Sequence, residues 1–271
     1  KRGNPGRARE ALDRFLLPGQ LSIRTYRAQV RYAEALAMEG RLAEAADRLE
    51  TSLEALEEWR SGLDAVGLQR YAFQIGEYLP DPDLGVASIL AAMARDGLEE
   101  RAFNLAERQK ARLLFEKMIL AEIGRTRGIE GPASAASIPE APRPWPAEDV
   151  MAAIPDSSTA LVEFVTGEGG EPTSAFILSK HGIRFTELPP VDSLERDMGL
   201  LRSLAETGGD VTPVASRLGR RLLNPVVQSL PENISRLILV PSGPLHRLAF
   251  GLLDPASEGP LVKRLTLAVN P

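Results

Sequence analysis

The chain has 271 residues, 44% hydrophobic and 25% charged, with a formal net charge of −5 at pH 7. This is the balance of a globular protein with room for one large domain or two ordinary ones, and it excludes a disordered chain. The acidic excess counts against a nucleic-acid-binding surface, which is usually basic, and the lack of cysteine excludes disulfides, thiolate metal sites and a cysteine nucleophile within these residues.

His181 and His246 are the only histidines, so no histidine-paired zinc motif can be written. No metal and no cofactor is expected. No apolar run approaches the roughly 20 residues of a membrane span. The opening KRGNPGRARE has no apolar segment after its charges and does not read as a signal peptide. A cytoplasmic location is the expectation. The first residue is not methionine and the pattern begins in mid-course, so the chain is expected to be a piece of something longer.

Glycine followed five residues later by alanine occurs at Gly3/Ala8, Gly40/Ala45 and Gly97/Ala102, each opening a helix-like run. Around the second, Ala33, Leu36 and Ala37 precede the glycine. Leu42, Ala45, Ala46, Leu49, Leu53 and Leu56 follow at three-and-four spacing. Two helices joined at a glycine and crossing at alanines form a hairpin whose remaining apolar face is buried by its neighbours. Gly40-Arg41-Leu42-Ala43-Glu44-Ala45 resembles the G-x-x-x-E-A turn of TPR repeats. The glycines are unevenly spaced, against about 34 residues in regular repeats. An extra helix over about Leu63 to Leu79, with Leu68, Tyr71, Ile75 and Tyr78 on one face, accounts for the added length. Degenerate TPR-like hairpins are therefore expected over residues 1–123. Tyr26, Tyr32, Trp59 and Tyr71 are candidates either for core packing or for a concave, protein- or peptide-binding surface.

A long helix is predicted from about Leu98 to Ile123. Leu98, Ala102, Leu105 and Ala106 form one apolar face and Leu113, Leu114, Met118 and Ala121 another. The polar run Glu107-Arg108-Gln109-Lys110 between them reads as a solvated turn of helix. The alternative is that Arg108 and Arg112 touch the following domain. Residues 124–146 are rich in Gly, Pro, Ala and Ser without a period and read as an exposed linker, a spacer rather than a ligand for Pro-binding domains.

Pro146 to Asp149 starts a short helix. Strands follow at Leu161–Val165, Ala175–Leu178 and Ile183–Leu188, and their short connections predict antiparallel neighbours. The loop Gly167 to Pro172 lacks the Gly-Lys-Ser/Thr of a phosphate loop and reads as a hairpin loop. His181 reads as a solvated turn residue. A helix is predicted over Val191–Ala205. Thr212-Pro213 is the expected cap and first position of another, which Pro225 should kink or end.

The apolar run Leu237-Ile238-Leu239-Val240 suits a strand buried on both faces of a parallel sheet, and Pro241 ends it. Ser242-Gly243-Pro244 is a tight turn. Leu245, Leu248, Ala249 and Leu252 suggest a short helix, and Leu265–Val269 a last strand. Pro241, Ser242, Gly243, Leu245, His246, Leu248, Ala249, Phe250 and Leu253 resemble the P-[DS]-G-x-L-H-x-L-[PA]-F-x-x-L signature of CHAT domains, the caspase-like domains that usually follow TPR repeats. Ser242 stands where Asp is frequent, and Ala249 where Pro is frequent. Glu107 to Leu114 looks like the E-x-x-K-A-R-x-L segment that closes such repeats.

The resemblance implies an α+β multidomain chain: TPR-like repeats over 1–123, a linker over 124–146, and the N-terminal part of a caspase-like α/β (CHAT) domain over 147–271, with an antiparallel meander. It implies a cysteine endopeptidase whose catalytic histidine and cysteine lie downstream, so no catalytic residue is assigned here. Ser242, Gly243, His246 and Arg247 are the candidate substrate-binding residues, at the carboxyl end of a parallel strand where α/β folds place ligands. A structural turn, with His246 bonded to a carbonyl and Arg247 solvated, is the alternative. A serine hydrolase using Ser242 and His246 is disfavoured because no G-x-S-x-G elbow is present. Expected partners are a protein or peptide on the repeats and the remainder of the CHAT domain, with no nucleic acid bound directly. A non-catalytic scaffold is the second functional reading, and a nuclease or nucleotide-binding partner domain a weaker third.

Overall fold

The computed structural model describes residues 5–15, 23–61, 85–126, 144–167, 169–256 and 258–270. The chain divides into two units: Lys1–Pro82 with Asn104–Trp145, and Asp83–Phe103 with Pro146–Pro271.

The first unit contains helices α1 (Pro5–Phe15), α2 (Ile23–Met38) and α3 (Leu42–Ser61). Gly40 takes a positive φ of 76°, and its N–H and that of Arg41 return to the carbonyls of Ala37 and Leu36 at 3.0 and 2.9 Å. This is the paired bonding of a Schellman stop, which needs a left-handed residue and so favours glycine. Beyond it, Ala33, Ala45 and Ala46 are fully buried, because small side chains let α2 and α3 approach closely. The same turn recurs between α4 (Val86–Arg95) and α5 (Glu99–Thr126). Gly97 has φ 84°, and the Gly97 and Leu98 amides bond to Ala94 and Met93 at 3.5 and 3.0 Å. Ala102 is buried like Ala45, whereas Ala8 is exposed, so the first of the three Gly/Ala pairs does not place its alanine at a helix crossing. The extra helix expected over Leu63–Leu79, with Tyr71, lies outside the described residues, as does the Trp59 side chain.

The polar run on α5 is only partly solvated, with Glu107, Arg108 and Lys110 half-buried, Gln109 buried and Arg112 just beyond it buried too. Gln109 is 6% and Arg112 only 1% exposed. Tyr26 and Gln109 share a hydrogen bond, with Gln109 Nε2 2.8 Å from the Tyr26 hydroxyl, and Arg112 Nε donates to Gln109 Oε1 at 3.0 Å. The Arg112 guanidinium lies over the Tyr26 ring at 5.2 Å. Arg108 instead pairs with Glu57 at 2.9 Å and with Glu54 at 3.4 Å. Buried polar groups that satisfy one another explain why this interruption of the apolar stripe is tolerated. Tyr26 is thus a core residue, and half-buried Tyr32 lies beneath the Arg48 guanidinium.

The second unit holds a five-stranded sheet in the order β3-β2-β1-β4-β5. Its strands are β1 (Thr159–Val165), β2 (Thr173–Ser179), β3 (Gly182–Leu188), β4 (Arg236–Val240) and β5 (Thr266–Val269). The meander β1–β2–β3 is antiparallel, and β4 pairs parallel with both β1 and β5. The architecture is therefore α+β with a mixed sheet. Ala160, Val162, Phe164, Ala175, Ile177, Leu237 and Leu239 alternate onto one face. They pack there against the segments that follow β3: α7 (Glu195–Thr207), α8 (Thr212–Leu218) and α9 (Asn224–Ser229), after the short helix α6 (Ala147–Ala153) that precedes β1. On the opposite face Phe176 meets Phe103 edge-on at 5.8 Å and Phe185 at 5.6 Å.

Several expectations change here. Residues 83–103 belong with the sheet rather than with a repeat domain ending at residue 123, because the buried face of α4 and Phe103 packs on β2 and β3. Of the expected linker, residues 124–126 continue α5, and 127–143 lie outside the described residues. The β4 strand is not buried on both faces: Leu237 and Leu239 are buried, but Ile238 and Val240 only half. The helix expected over Val191–Ala205 opens as a 3-10 turn, Val191–Ser193, before α7. Val211, not Thr212, caps α8, and the Asp210 carboxylate accepts the Thr212 N–H at 2.9 Å. Ahead of Pro225 the helix widens into a π turn, Gly219–Leu223, and α9 restarts with the proline in its first turn. The short helix expected after Pro244 is two 3-10 turns, Gly243–Arg247 and Phe250–Leu252, separated by extended Leu248.

Glycines separate into functional classes by what a Cβ would meet. At Gly219 it would lie 2.4 Å from the Asp254 backbone, whereas at Gly199, within α7, nothing lies within 4 Å. Gly219→Ala is expected to destabilise by about 1–3 kcal/mol through overpacking. Gly40→Ala and Gly97→Ala should each lose about 1–2 kcal/mol to left-handed strain. Gly199→Ala should gain roughly 0.5–1 kcal/mol. Urea unfolding midpoints of the four variants check this ordering.

Candidate functional site

Because β1 and β4 run parallel and side by side, their carboxyl ends lie together. The chain leaves β1 towards β2 on one side and leaves β4 towards β5 on the other. This divergence is a topological switch point, the place where open α/β sheets leave a crevice for ligands. The four sequence-predicted residues Ser242, Gly243, His246 and Arg247 all follow β4 at this end.

The turn is held from beneath by apolar anchors. Leu245, Leu248, Phe250 and Leu253 are buried in the core, and the Phe250 ring stacks on Phe164 of β1 at 5.6 Å. The apolar spacing of the P-S-G-x-L-H-x-L-A-F segment is therefore a packing pattern. Its polar members face the other way: His246 and Arg247 are exposed. Among the described residues neither side chain has an ion-pair or hydrogen-bond partner, so the carbonyl bond considered for His246 is not made. Arg247 is an exposed guanidinium, whose N–H donors are bonded to none of the described residues.

Ser242 has a partner that the sequence did not suggest. Its Oγ lies 3.2 Å from Oγ1 of Thr166, the first residue after β1. Gly243 follows with φ 53°, and a Cβ there would come within 2.8 Å of the same Thr166 oxygen. The turn thus closes over Thr166 only because residue 243 is glycine. The two residues are distant in sequence, and the signal that points to Thr166 is positional: it ends the strand parallel to β4. The site consists of two adjacent hydroxyls, an exposed glycine, and a neighbouring imidazole and guanidinium. Such a set can donate hydrogen bonds to carbonyl or carboxylate oxygens. Among the described residues His246 bonds to neither hydroxyl.

Other polar groups lie elsewhere. His181 sits in the β2–β3 turn, exposed, with Nε2 3.4 Å from Asn233 Nδ2, just before β4 and so at the amino end of that strand. The Asp156 carboxylate is held below its usual range by the Ser158 and Thr159 hydroxyls, ahead of β1. Asp197 is lowered by its hydrogen bonds from Arg217 on α8. Both serve local structure. Among the described residues no group of three or more His, Asp or Glu could hold a metal ion, and no helix is long and apolar enough to cross a membrane.

The tie between Thr166, Ser242 and Gly243 can be tested by a double-mutant cycle. Thr166→Ala is expected to cost about 0.5–1.5 kcal/mol for the lost hydroxyl pair. Gly243→Ala should cost less in the Thr166→Ala background than in the wild type, because the oxygen it collides with is gone. Equal costs in both backgrounds, read from unfolding midpoints, would show that Thr166 does not constrain the turn.

No protein-family model matches the chain, and no curated protein is similar enough to count as a match.

Proposed function

We propose that this chain is part of a TPR–CHAT protein, a caspase-like cysteine endopeptidase controlled by protein binding to its repeats, with the catalytic histidine and cysteine outside these residues. The single observation that carries the reading is the position of the P-S-G-x-L-H-x-L-A-F segment. It follows a parallel strand at the switch point of a mixed sheet, after an antiparallel meander and a helical crossover. The order of elements supports it further, as does the α2–α3 hairpin that turns at Gly40.

In this reading Ser242 and Gly243 line the approach to the scissile segment, and Arg247 with His246 contacts polar groups of the substrate. A cysteine thiolate supplied by the remaining sequence attacks the carbonyl, and a histidine takes up the thiol proton. The chain described here contributes binding and positioning, not the nucleophile. The second reading is a scaffold in which the same domain is an interaction module. The exposed His246 and Arg247, which pair with none of the described residues, suit a docked partner as well as a substrate, since fold alone never implies activity.

The two readings separate experimentally. A peptidyl electrophile directed at cysteine proteases is expected to label a single cysteine in the longer protein, and Arg247→Ala to slow that labelling about tenfold, the loss of one charge-assisted bond. The isolated 271 residues should not hydrolyse peptide substrates. A longer protein with no labelled cysteine favours the scaffold, and peptide turnover by the isolated chain contradicts the placement of the nucleophile elsewhere.

A further inference from the structure

The loop that joins β1 to β2 touches the Ser242–Gly243 turn and the start of α4, and in its middle the Gly170 N–H donates to the Asp192 carboxylate at 3.0 Å. At its start, Thr166 meets Ser242 and underlies Gly243. At its end, Glu171 reaches the beginning of α4. Its Oε1 accepts the Gly85 N–H at 2.9 Å and the Ser88 hydroxyl at 3.0 Å. The residue preceding the helix is Gly85, with φ 97° and no side chain to serve as a cap. The carboxylate that satisfies the first turn of α4 therefore comes from the sheet, 86 residues away in sequence. Between the two contacts lies Gly167, buried. A Cβ there would sit 2.4 Å from Glu171 Cβ and 2.9 Å from Ala87 Cβ, so the loop can lie against the helix only as glycine.

We propose that Thr166, Gly167 and Glu171 form a linkage through which the start of α4 sets the geometry of the Ser242–Arg247 turn. The loop is short, pinned at both ends and held at Gly170 by Asp192, so Glu171 and Gly167, which lie against each other, carry the displacement. Withdrawal of the Gly85–Ser88 turn removes two hydrogen bonds from Glu171 and opens the space that Gly167 fills. The displacement passes along the same few residues to Thr166, and from it to the hydroxyl and glycine above. Glu171 is a positioning residue here and touches no ligand. The linkage takes from the proposed function only that this turn is the site, and its test uses no substrate.

Amide hydrogen exchange on the full chain reads the linkage directly. The Ile89 amide, bonded to Gly85 at 3.1 Å, reports the start of α4. The Leu245 and Leu248 amides, bonded to Ser242 and Leu245 at 3.1 and 3.0 Å, report the turn. Glu171→Ala is expected to raise exchange at least about tenfold at all three amides. The amides of Ile177 and Leu239 should be unchanged. Glu171→Gln keeps an acceptor oxygen and should restore protection at both ends. In a Thr166→Val background, loss of Glu171 should add nothing at Leu245 and Leu248. If Glu171→Ala opens the sheet as well, Ser88→Ala, which removes one of the two bonds, should raise exchange at Ile89, Leu245 and Leu248 alone. Opening at Ile89 without change at Leu245 and Leu248, in either variant, overturns the proposal. So does an equal increment in the Thr166→Val background.

Discussion

Parallel pairing of β1 with β4 is the constraint from which the second unit follows. Parallel neighbours cannot be joined by a tight turn, so the chain must travel away from the sheet and return. It does so through the remainder of the meander and then α7, α8 and α9, and this excursion supplies the apolar layer that buries Val162, Phe164, Leu237 and Leu239. The return also brings two carboxyl ends together and sends the chain away from them in opposite directions. A candidate site at Thr166, Ser242 and Gly243 is thus a product of topology before it is a product of side-chain chemistry.

Close backbone approach is the second organising theme. Gly219 lets the helical layer meet Asp254, Gly167 lets the β1–β2 loop lie on α4, and Gly243 lets the turn after β4 close over Thr166. At each position a methyl group would collide with backbone or with a side chain that has somewhere specific to be. The π turn at Gly219–Leu223 belongs to the same theme. Pro225 has no N–H to return to the helix, and the Asn224 amide bonds instead to Gly219.

Much of this was legible in the residues. The run Leu237 to Val240 announced a strand, the meander was marked by short polar connections, and Gly40 and Gly97 announced two helix stops. What escaped the sequence was everything that depends on a distant partner. Gln109 read as solvated, and Arg112 as a possible contact with the following domain, because nothing near them names Tyr26, which satisfies and covers them. Thr166 was invisible because its relation to Ser242 exists only once β1 and β4 are paired. Residues 83–103 read as part of a repeat because their periodicity is helical, and only packing shows that α4 lies on β2 and β3. The segment after Pro244 carries helical spacing but folds as two 3-10 turns, because Leu245, Leu248 and Phe250 are drawn individually into the core.

The functional reading stands or falls with strand direction at β4, since an antiparallel β4 would carry Ser242 to the opposite end of the strands, away from Thr166, and abolish the switch point. Cross-strand nuclear Overhauser contacts among backbone protons measure that direction most directly. The parallel register predicts contacts that advance together along both strands, from Ala160 with Leu237 to Val162 with Leu239, and likewise from Leu237 with Leu267 to Leu239 with Val269. Contacts that run in opposing order, or their absence between β1 and β4, would contradict the account.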